Sequence, residues 1–207
     1  MIRLKGITKT YGDKAVYDGF DAEFEGITAV LGRSGCGKTT LLNIVAGLTD
    51  CGGSVERQGA VSYMFQQPRL IKNLTVLENL TYIGVPKSDA EEMLKKVEVE
   101  PSLYPKQLSG GMADRVSLAR AFAKKGGTLL MDEPFRGLDI GLKSRIMELF
   151  KKLYNERGGD VLFVTHSPYE ACALAGRAVV LENGKIIADL KADDLSEHAL
   201  TDILKTL

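Results

Sequence analysis

The chain has 207 residues, 44% of them hydrophobic, and its 27 basic side chains balance 27 acidic ones. That length suits one large α/β domain or a core with an inserted subdomain, and zero net charge argues against a highly charged nucleic-acid-binding domain. Three scattered cysteines, Cys36, Cys51 and Cys172, show no CxxC pairing and no histidine at metal-ligand spacing, so reduced cytosolic thiols are expected. The opening MIRLKGITKTYG lacks the apolar stretch of a secretory signal, and no run of about 18 apolar residues occurs anywhere. Work at a membrane would therefore need a partner that spans it.

Met1 to Thr8 alternates apolar and polar residues and reads as a strand. Asp21–Glu25 and Ile27–Leu31 read as two more, separated by Gly26, and a glycine-rich turn follows over 32–37. A helix is predicted from about Lys38 to Gly47, with Leu41, Leu42, Ile44, Val45 and Leu48 on its buried side. Cys51-Gly52-Gly53 reads as a turn and AVSYMF, residues 60–65, as a strand. From Pro68 to Pro105 the character changes. Thr75 and Glu78 precede apolar positions, the amphipathic segment DAEEMLKKVEVE follows, and strand signals are weak. A helix from about Gly110 to Lys124 is stopped by Gly126-Gly127. Alternation then resumes: LLMD (129–132) as a buried strand, Gly141–Arg157 as a helix, and VLFVTH (161–166) as an apolar strand. AVVLE and GKIIADL form a hairpin around Asn183-Gly184, and a short helix closes the chain over 194–207. The pattern predicts an α/β fold, a P-loop core with a mainly parallel sheet, an antiparallel β region at the N-terminus and a small helical subdomain. Its expected organisation is one domain over 1–207. Residues 1–66 plus 127–207 form the nucleotide-binding core and about 67–126 the insert.

GRSGCGKT, residues 32–39, fits G-x-x-x-x-G-K-[ST] between a strand and a helix. Gly32, Arg33, Ser34, Gly35, Cys36, Gly37, Lys38, Thr39 and the following Thr40 are its candidate phosphate-binding residues. Glycines let the backbone wrap a polyanion, whose charge the loop N–H groups and helix N-terminus offset. Lys38 is expected to reach the β- and γ-phosphates of ATP, and Thr39 to offer its hydroxyl to Mg²⁺. TLLMDEP, residues 128–134, is an apolar strand ending in two acids at the sheet's carboxyl edge. Asp132 is the expected Mg²⁺ holder and Glu133 the general base that polarises an attacking water. His166 ends the neighbouring apolar strand, where it is placed to reach the γ-phosphate and Glu133. Its alternative is a purely structural role. Gln66, in MFQQP, closes another apolar strand and is a candidate for contact with Mg²⁺ or the water. Tyr11, before Gly12, is placed to stack on adenine, or else simply packs in a turn.

LSGGM, residues 108–112, presents a second helix start suited to phosphate. Ser109 and the N–H groups of Gly110 and Gly111 would aim a positive dipole end outward. One chain could scarcely fold this segment onto its own P-loop, but two chains arranged head to tail could each cover the other's nucleotide.

These motifs resemble the ATP-binding cassette ATPases, the nucleotide-binding subunits of ABC transporters. The likeness runs through nearly the whole chain in the family's order: Tyr11, GRSGCGKTT, FQQ, YPKQLSGGM, LLMDEPFRGLD and VTH. It implies ATP hydrolysis in a homodimer, or a heterodimer with another such subunit, coupled to transmembrane permease subunits. It also implies a solute-binding protein acting indirectly, no nucleic acid, and a place on the cytoplasmic face of a bacterial membrane. Asp139, in GLD, is implied to communicate across the subunit interface.

Some positions depart from the pattern. Met112 and Asp114 stand where the family usually has glutamine, while Arg115 and Arg120 keep its basic positions. The β region before the P-loop and the helical insert look trimmed, and the short stretch after the final hairpin leaves no room for a C-terminal regulatory domain. The motifs most resemble importers of nitrate, sulfonate, taurine and similar small solutes. The alternative is a soluble cassette ATPase in iron–sulfur cofactor assembly or in DNA- or ribosome-linked work. A P-loop small-molecule kinase would leave LSGG without a purpose.

Overall fold

Residues 1–124 and 126–207 are described by the structure, a computed structural model; Lys125, inside the expected helical insert, lies outside them. In chain order the first elements are β1 (Ile2–Tyr11), β2 (Lys14–Phe24), β3 (Ile27–Leu31), α1 (Lys38–Ala46), β4 (Gly52–Arg57) and β5 (Val61–Met64). Then come α2 (Val76–Thr81), α3 (Lys87–Lys96), α4 (Gly110–Phe122), β6 (Thr128–Asp132), α5 (Ile140–Arg157) and β7 (Asp160–Val164). The last are α6 (Pro168–Leu174), β8 (Arg177–Glu182), β9 (Lys185–Lys191) and α7 (Glu197–Lys205). The elements group into two units: Met1–Val61 with Gly127–Glu133 and Gly159–Leu207, and Ser62–Gly126 with Pro134–Gly158.

In the first unit an antiparallel sheet has the order β2-β1-β4. Register shifts along β1 and a positive φ at Gly19 break strict alternation, so Tyr17, Phe20 and Phe24 of β2 all reach the core. Gly52 and Gly53 do not make the expected turn; they begin β4. A Cβ on Gly52 would strike the Thr8 hydroxyl, and one on Gly53 the carbonyls of Lys5 and Gly6. The glycines let two strands approach closely instead.

The remaining strands of this unit run β6-β7-β3-β8-β9, parallel except for the β8–β9 hairpin. Asn183 (φ 45°) and Gly184 (φ 72°) make the hairpin turn that the Asn-Gly pair predicts. β3, β6, β7 and β8 bury nearly every side chain, as strands covered on both faces must. Asp132 pairs in register with Val164, and Val164 with Val30. The carboxyl ends of β3, β6 and β7 therefore lie side by side. α1 buries Leu41, Leu42, Ile44 and Val45, but Leu48 is 59% exposed, contrary to expectation. Gly47 takes the left-handed C-cap conformation and turns the chain before Leu48.

The second unit is mainly helical. Val76, Leu80, Ala90, Leu94, Val116 and Ala119, from α2, α3 and α4, form one buried cluster. Thr75 caps α2 in a reciprocal box with Glu78. Buried Asn79 holds the preceding loop: its Oδ1 accepts from the Ile71 N–H, and its Nδ2 donates to the Ile71, Leu74 and Thr75 carbonyls. Phe122 and Phe135 both pack edge-on against Phe150.

Candidate nucleotide site

Gly32–Thr40 leaves the carboxyl end of β3 and enters α1, and its shape depends on glycine at two positions. Gly32 has φ 143°, and a Cβ there would collide with the Leu181 carbonyl. Gly37 has φ 111°, and its Cβ would lie 2.9 Å from the Tyr17 hydroxyl, which donates to the Gly37 carbonyl at 2.9 Å. Burial, together with the nearby Cys36, pushes the Tyr17 hydroxyl pKa up, so it stays a neutral donor. Strands β8 and β2 thus brace the loop from two sides. Arg33, Ser34 and Gly35 are exposed, Cys36 and Gly37 half-buried.

Lys38 is buried, and its ammonium donates to the carbonyls of Gly32 (2.8 Å) and Arg33 (2.7 Å), with the Cys36 sulfur at 3.9 Å. Those bonds fold the lysine back onto its own loop. Thr39 is the first exposed residue of α1, and its hydroxyl donates to Asp132 Oδ2 at 2.9 Å. Asp132 is 6% exposed. Burial raises its pKa, and the Glu133 charge adds to this, against lowering by the Thr39 bond and Lys38. A buried carboxylate beside a hydroxyl is an oxygen pair suited to a small divalent cation completed by phosphate oxygens.

Glu133 follows at once in the left-handed region, φ 48°, where its N–H still donates to the Val164 carbonyl at 3.0 Å. A non-glycine residue there stores about 1–3 kcal/mol of strain, a recurrent feature of functional sites. The turn re-aims the glutamate. His166 Nδ1 lies 3.6 Å from Glu133 Oε2, and His166 is 68% exposed. The neighbouring Thr165 hydroxyl donates to buried Glu170 and accepts from the Ser167 N–H at 3.1 Å. Ser167 in turn caps α6. The apolar strand itself gives no sign of this support for His166, although S-P-Y-E carries the signature of a helix start. Tyr11 ends β1 and is half-exposed, and Gly12 (φ 57°) turns the chain beyond it. The first unit therefore holds Tyr11, the P-loop, Asp132, Glu133 and His166 together on one folded body.

Gln66, Ser109, Gly110 and Gly111 belong to the second unit. Gln66 is exposed in a bend after β5. Beside it the Phe65 ring stacks on Tyr63 (4.1 Å) and carries the Arg69 guanidinium at 3.9 Å. Arg120 of α4 donates to the Arg69 carbonyl at 2.6 Å, and burial lowers its pKa. The glutamine bend is thereby tied to α4, the helix that LSGG begins. Ser109 caps α4, its hydroxyl accepting from the Met112 N–H at 3.3 Å, and Ser109 and Gly110 are exposed. Asp139 likewise caps α5. Ser109, Gly111, Met112, Arg115 and Asp139 line a groove of about 600 Å³. Met112 packs against the helical core, and burial raises the Asp114 pKa. Arg115 donates to the Val97 carbonyl at 2.9 Å.

A model of the ABC transporter family matches residues 19–136, and one of an AAA domain residues 112–172. An aliphatic sulfonates import ATP-binding protein of Corynebacterium glutamicum is 40% identical over 204 residues, 92% of this chain and 84% of that one. A sulfonates import ATP-binding protein of Xanthomonas axonopodis is 38% identical and covers 91% of this chain and 70% of its own. The ATP-binding cassette MJ0796, solved as a dimer in a post-hydrolysis state with ADP and Pi, superposes with a TM-score of 0.79. It is 31% identical and covers 93% of this chain and 99% of its own. An ATP-binding subunit of an ABC transporter, 22% identical, shares the fold at a TM-score of 0.86. With the ABC transporter family model matching more than half its length, and the phosphate loop, buried Asp132 and Ser109-capped α4 in place, the chain belongs to the ABC transporter family, as an ATP-binding and ATP-hydrolysing subunit.

Proposed function

We propose that the chain binds Mg-ATP as one half of a head-to-tail dimer and drives uptake of an organic sulfonate or a related small anion. Adenine stacks on Tyr11. The triphosphate lies in the loop from Gly32 through Arg33, Ser34, Gly35, Cys36, Gly37, Lys38 and Thr39 to Thr40. Lys38 exchanges its two loop carbonyls for β- and γ-phosphate oxygens. Thr39 and Asp132, with Gln66, would hold Mg²⁺, which would neutralise charge on the phosphate oxygens. Glu133 takes a proton from the attacking water while His166 holds the γ-phosphate and the glutamate in line. The water oxygen bonds to the γ-phosphorus, the bond to the bridging oxygen breaks, and ADP departs. Ser109, Gly110 and Gly111 of the second copy close over the γ-phosphate.

The observation that carries this reading is the 2.9 Å bond between Thr39 and Asp132, which joins the P-loop helix to the strand that leads into Glu133. The solute class is supported by the likeness to the two sulfonate import proteins. Separate permease subunits would hold the dimer at the cytoplasmic face of a bacterial membrane, where a solute-binding protein delivers cargo from the other side. No helix among the described residues is long and apolar enough to cross a membrane. The test is purification from native membranes followed by reconstitution. A co-purifying multi-span protein and sulfonate uptake dependent on Mg-ATP are expected. ATPase activity with no such partner, and no uptake, would overturn the transport reading.

A further inference from the structure

Lys9 and Tyr11 stand two apart on β1, so their side chains leave the same face of the strand. The Lys9 ammonium sits over the Tyr11 ring, 4.9 Å from its centroid. It also donates to the Asp50 carbonyl at 2.7 Å, in the segment between α1 and β4. Close packing makes that reach possible. Gly52 pairs with Thr8 so tightly that a Cβ on Gly52 would strike the Thr8 hydroxyl. The end of the P-loop helix, the lysine and the tyrosine ring therefore form one connected series inside the first unit.

We infer that Lys9 is a positioning residue for nucleotide binding, clamping one face of Tyr11 so that the other is presented to the adenine base. This rests on the stacking role proposed for Tyr11. Two physical effects support it. A cation over one face of an aromatic ring attracts its π-cloud and limits ring motion. The same cation draws electron density from the ring, which favours stacking of an electron-rich purine on the opposite face. The Asp50 carbonyl fixes the ammonium laterally, so the tyrosine takes its register from the chain that leaves α1. Adenine and phosphate subsites are thereby held at a set spacing without Lys9 touching the nucleotide.

The test uses the full chain and four variants: Lys9→Met, Lys9→Arg, Tyr11→Ala and the Lys9→Met/Tyr11→Ala double. Circular dichroism establishes that each is folded. ATP affinity is measured directly, and inorganic tripolyphosphate is measured as a competitor that lacks a base. Lys9→Met should weaken ATP binding about 2- to 5-fold. It should raise KM with kcat little changed and leave tripolyphosphate binding unaltered. Lys9→Arg should restore ATP affinity, and Lys9→Met should have no further effect once Tyr11 is alanine. Unchanged ATP affinity in Lys9→Met, with a clear loss in Tyr11→Ala, would overturn the clamp while leaving the stacking reading intact. An equal loss for ATP and tripolyphosphate would overturn it too, making Lys9 a mere counter-charge. If Tyr11→Ala itself binds ATP normally, the stacking reading fails and takes the clamp with it.

Discussion

Thr39 and Asp132 lie 93 residues apart in the chain and share a hydrogen bond of 2.9 Å. The carboxylate at its centre is buried, and burial raises its pKa above the ordinary aspartate value. Because the folded state holds this proton more tightly than the unfolded one, Asp132 costs stability at neutral pH. That cost shrinks as pH falls below the raised pKa and is gone once pH lies below the ordinary aspartate value as well. Asp132→Asn removes the charge but keeps an oxygen to accept from Thr39. We expect the nucleotide-free variant to melt higher than the wild type near neutral pH. The gap should close in acid. Mg-dependent ATPase activity should be lost. Calorimetry across pH beside phosphate-release assays checks this; a variant that melts lower at neutral pH would contradict it.

Glu133→Gln keeps the shape of the side chain but removes the proton acceptor. Turnover should fall about 10²–10⁴-fold with ATP affinity preserved. The unhydrolysed nucleotide should hold two copies together, so size-exclusion chromatography in Mg-ATP should show a dimer. Near-normal hydrolysis would remove Glu133 from its proposed role.

Two variants separate the phosphate readers. Lys38→Ala should weaken nucleotide binding in the isolated chain, whereas Ser109→Arg should spare it and block dimer closure and hydrolysis. A mixed dimer of the two contains one composite site with both residues intact, and part of the activity should return. Mixed dimers that form, shown by tag-based co-purification, yet recover no hydrolysis would count against a site shared between copies.

Within the P-loop, glycines should differ in tolerance. Gly32→Ala meets the Leu181 carbonyl in a conformation unfavourable to any side chain. It should cost more than about 3 kcal/mol and abolish binding. Gly35 (φ 78°) faces open space, so Gly35→Ala bears only the left-handed backbone penalty, about 1–2 kcal/mol. Urea denaturation curves rank them, and equal losses would mean that Leu181 does not confine the loop.

Local chemistry made the P-loop, the strand-end acids and the Asn183-Gly184 hairpin legible in the sequence, because each is decided by a few adjacent residues. Contacts between distant segments were not legible. Nothing near Gly37 announces that Tyr17 will hold its carbonyl, and nothing near Lys38 announces that it will bond its own loop. Gly52 and Gly53 begin a strand where a turn is expected, because a glycine pair signals a turn as well as close strand approach, and only the neighbouring strand decides between them. β2 starts at Lys14, well before the expected Asp21, since its bulged register hides the two-residue period. Periodicity does not reveal α6, although Ser167 and Glu170 mark its start; the segment is short and continues from an apolar strand.

The strand that carries the P-loop has a further consequence during synthesis. β3 emerges early, yet its sheet neighbours are β7 and β8. The bond from Gly26 to Asp160 already spans 134 residues. At typical ribosomal rates an apolar segment waits roughly ten seconds for its first partner strand. Meanwhile ITAVL presents unpaired edges to whatever is near. The nascent chain should thus depend on chaperones until residue 164 has left the ribosome, and truncations ending before β7 should aggregate rather than fold.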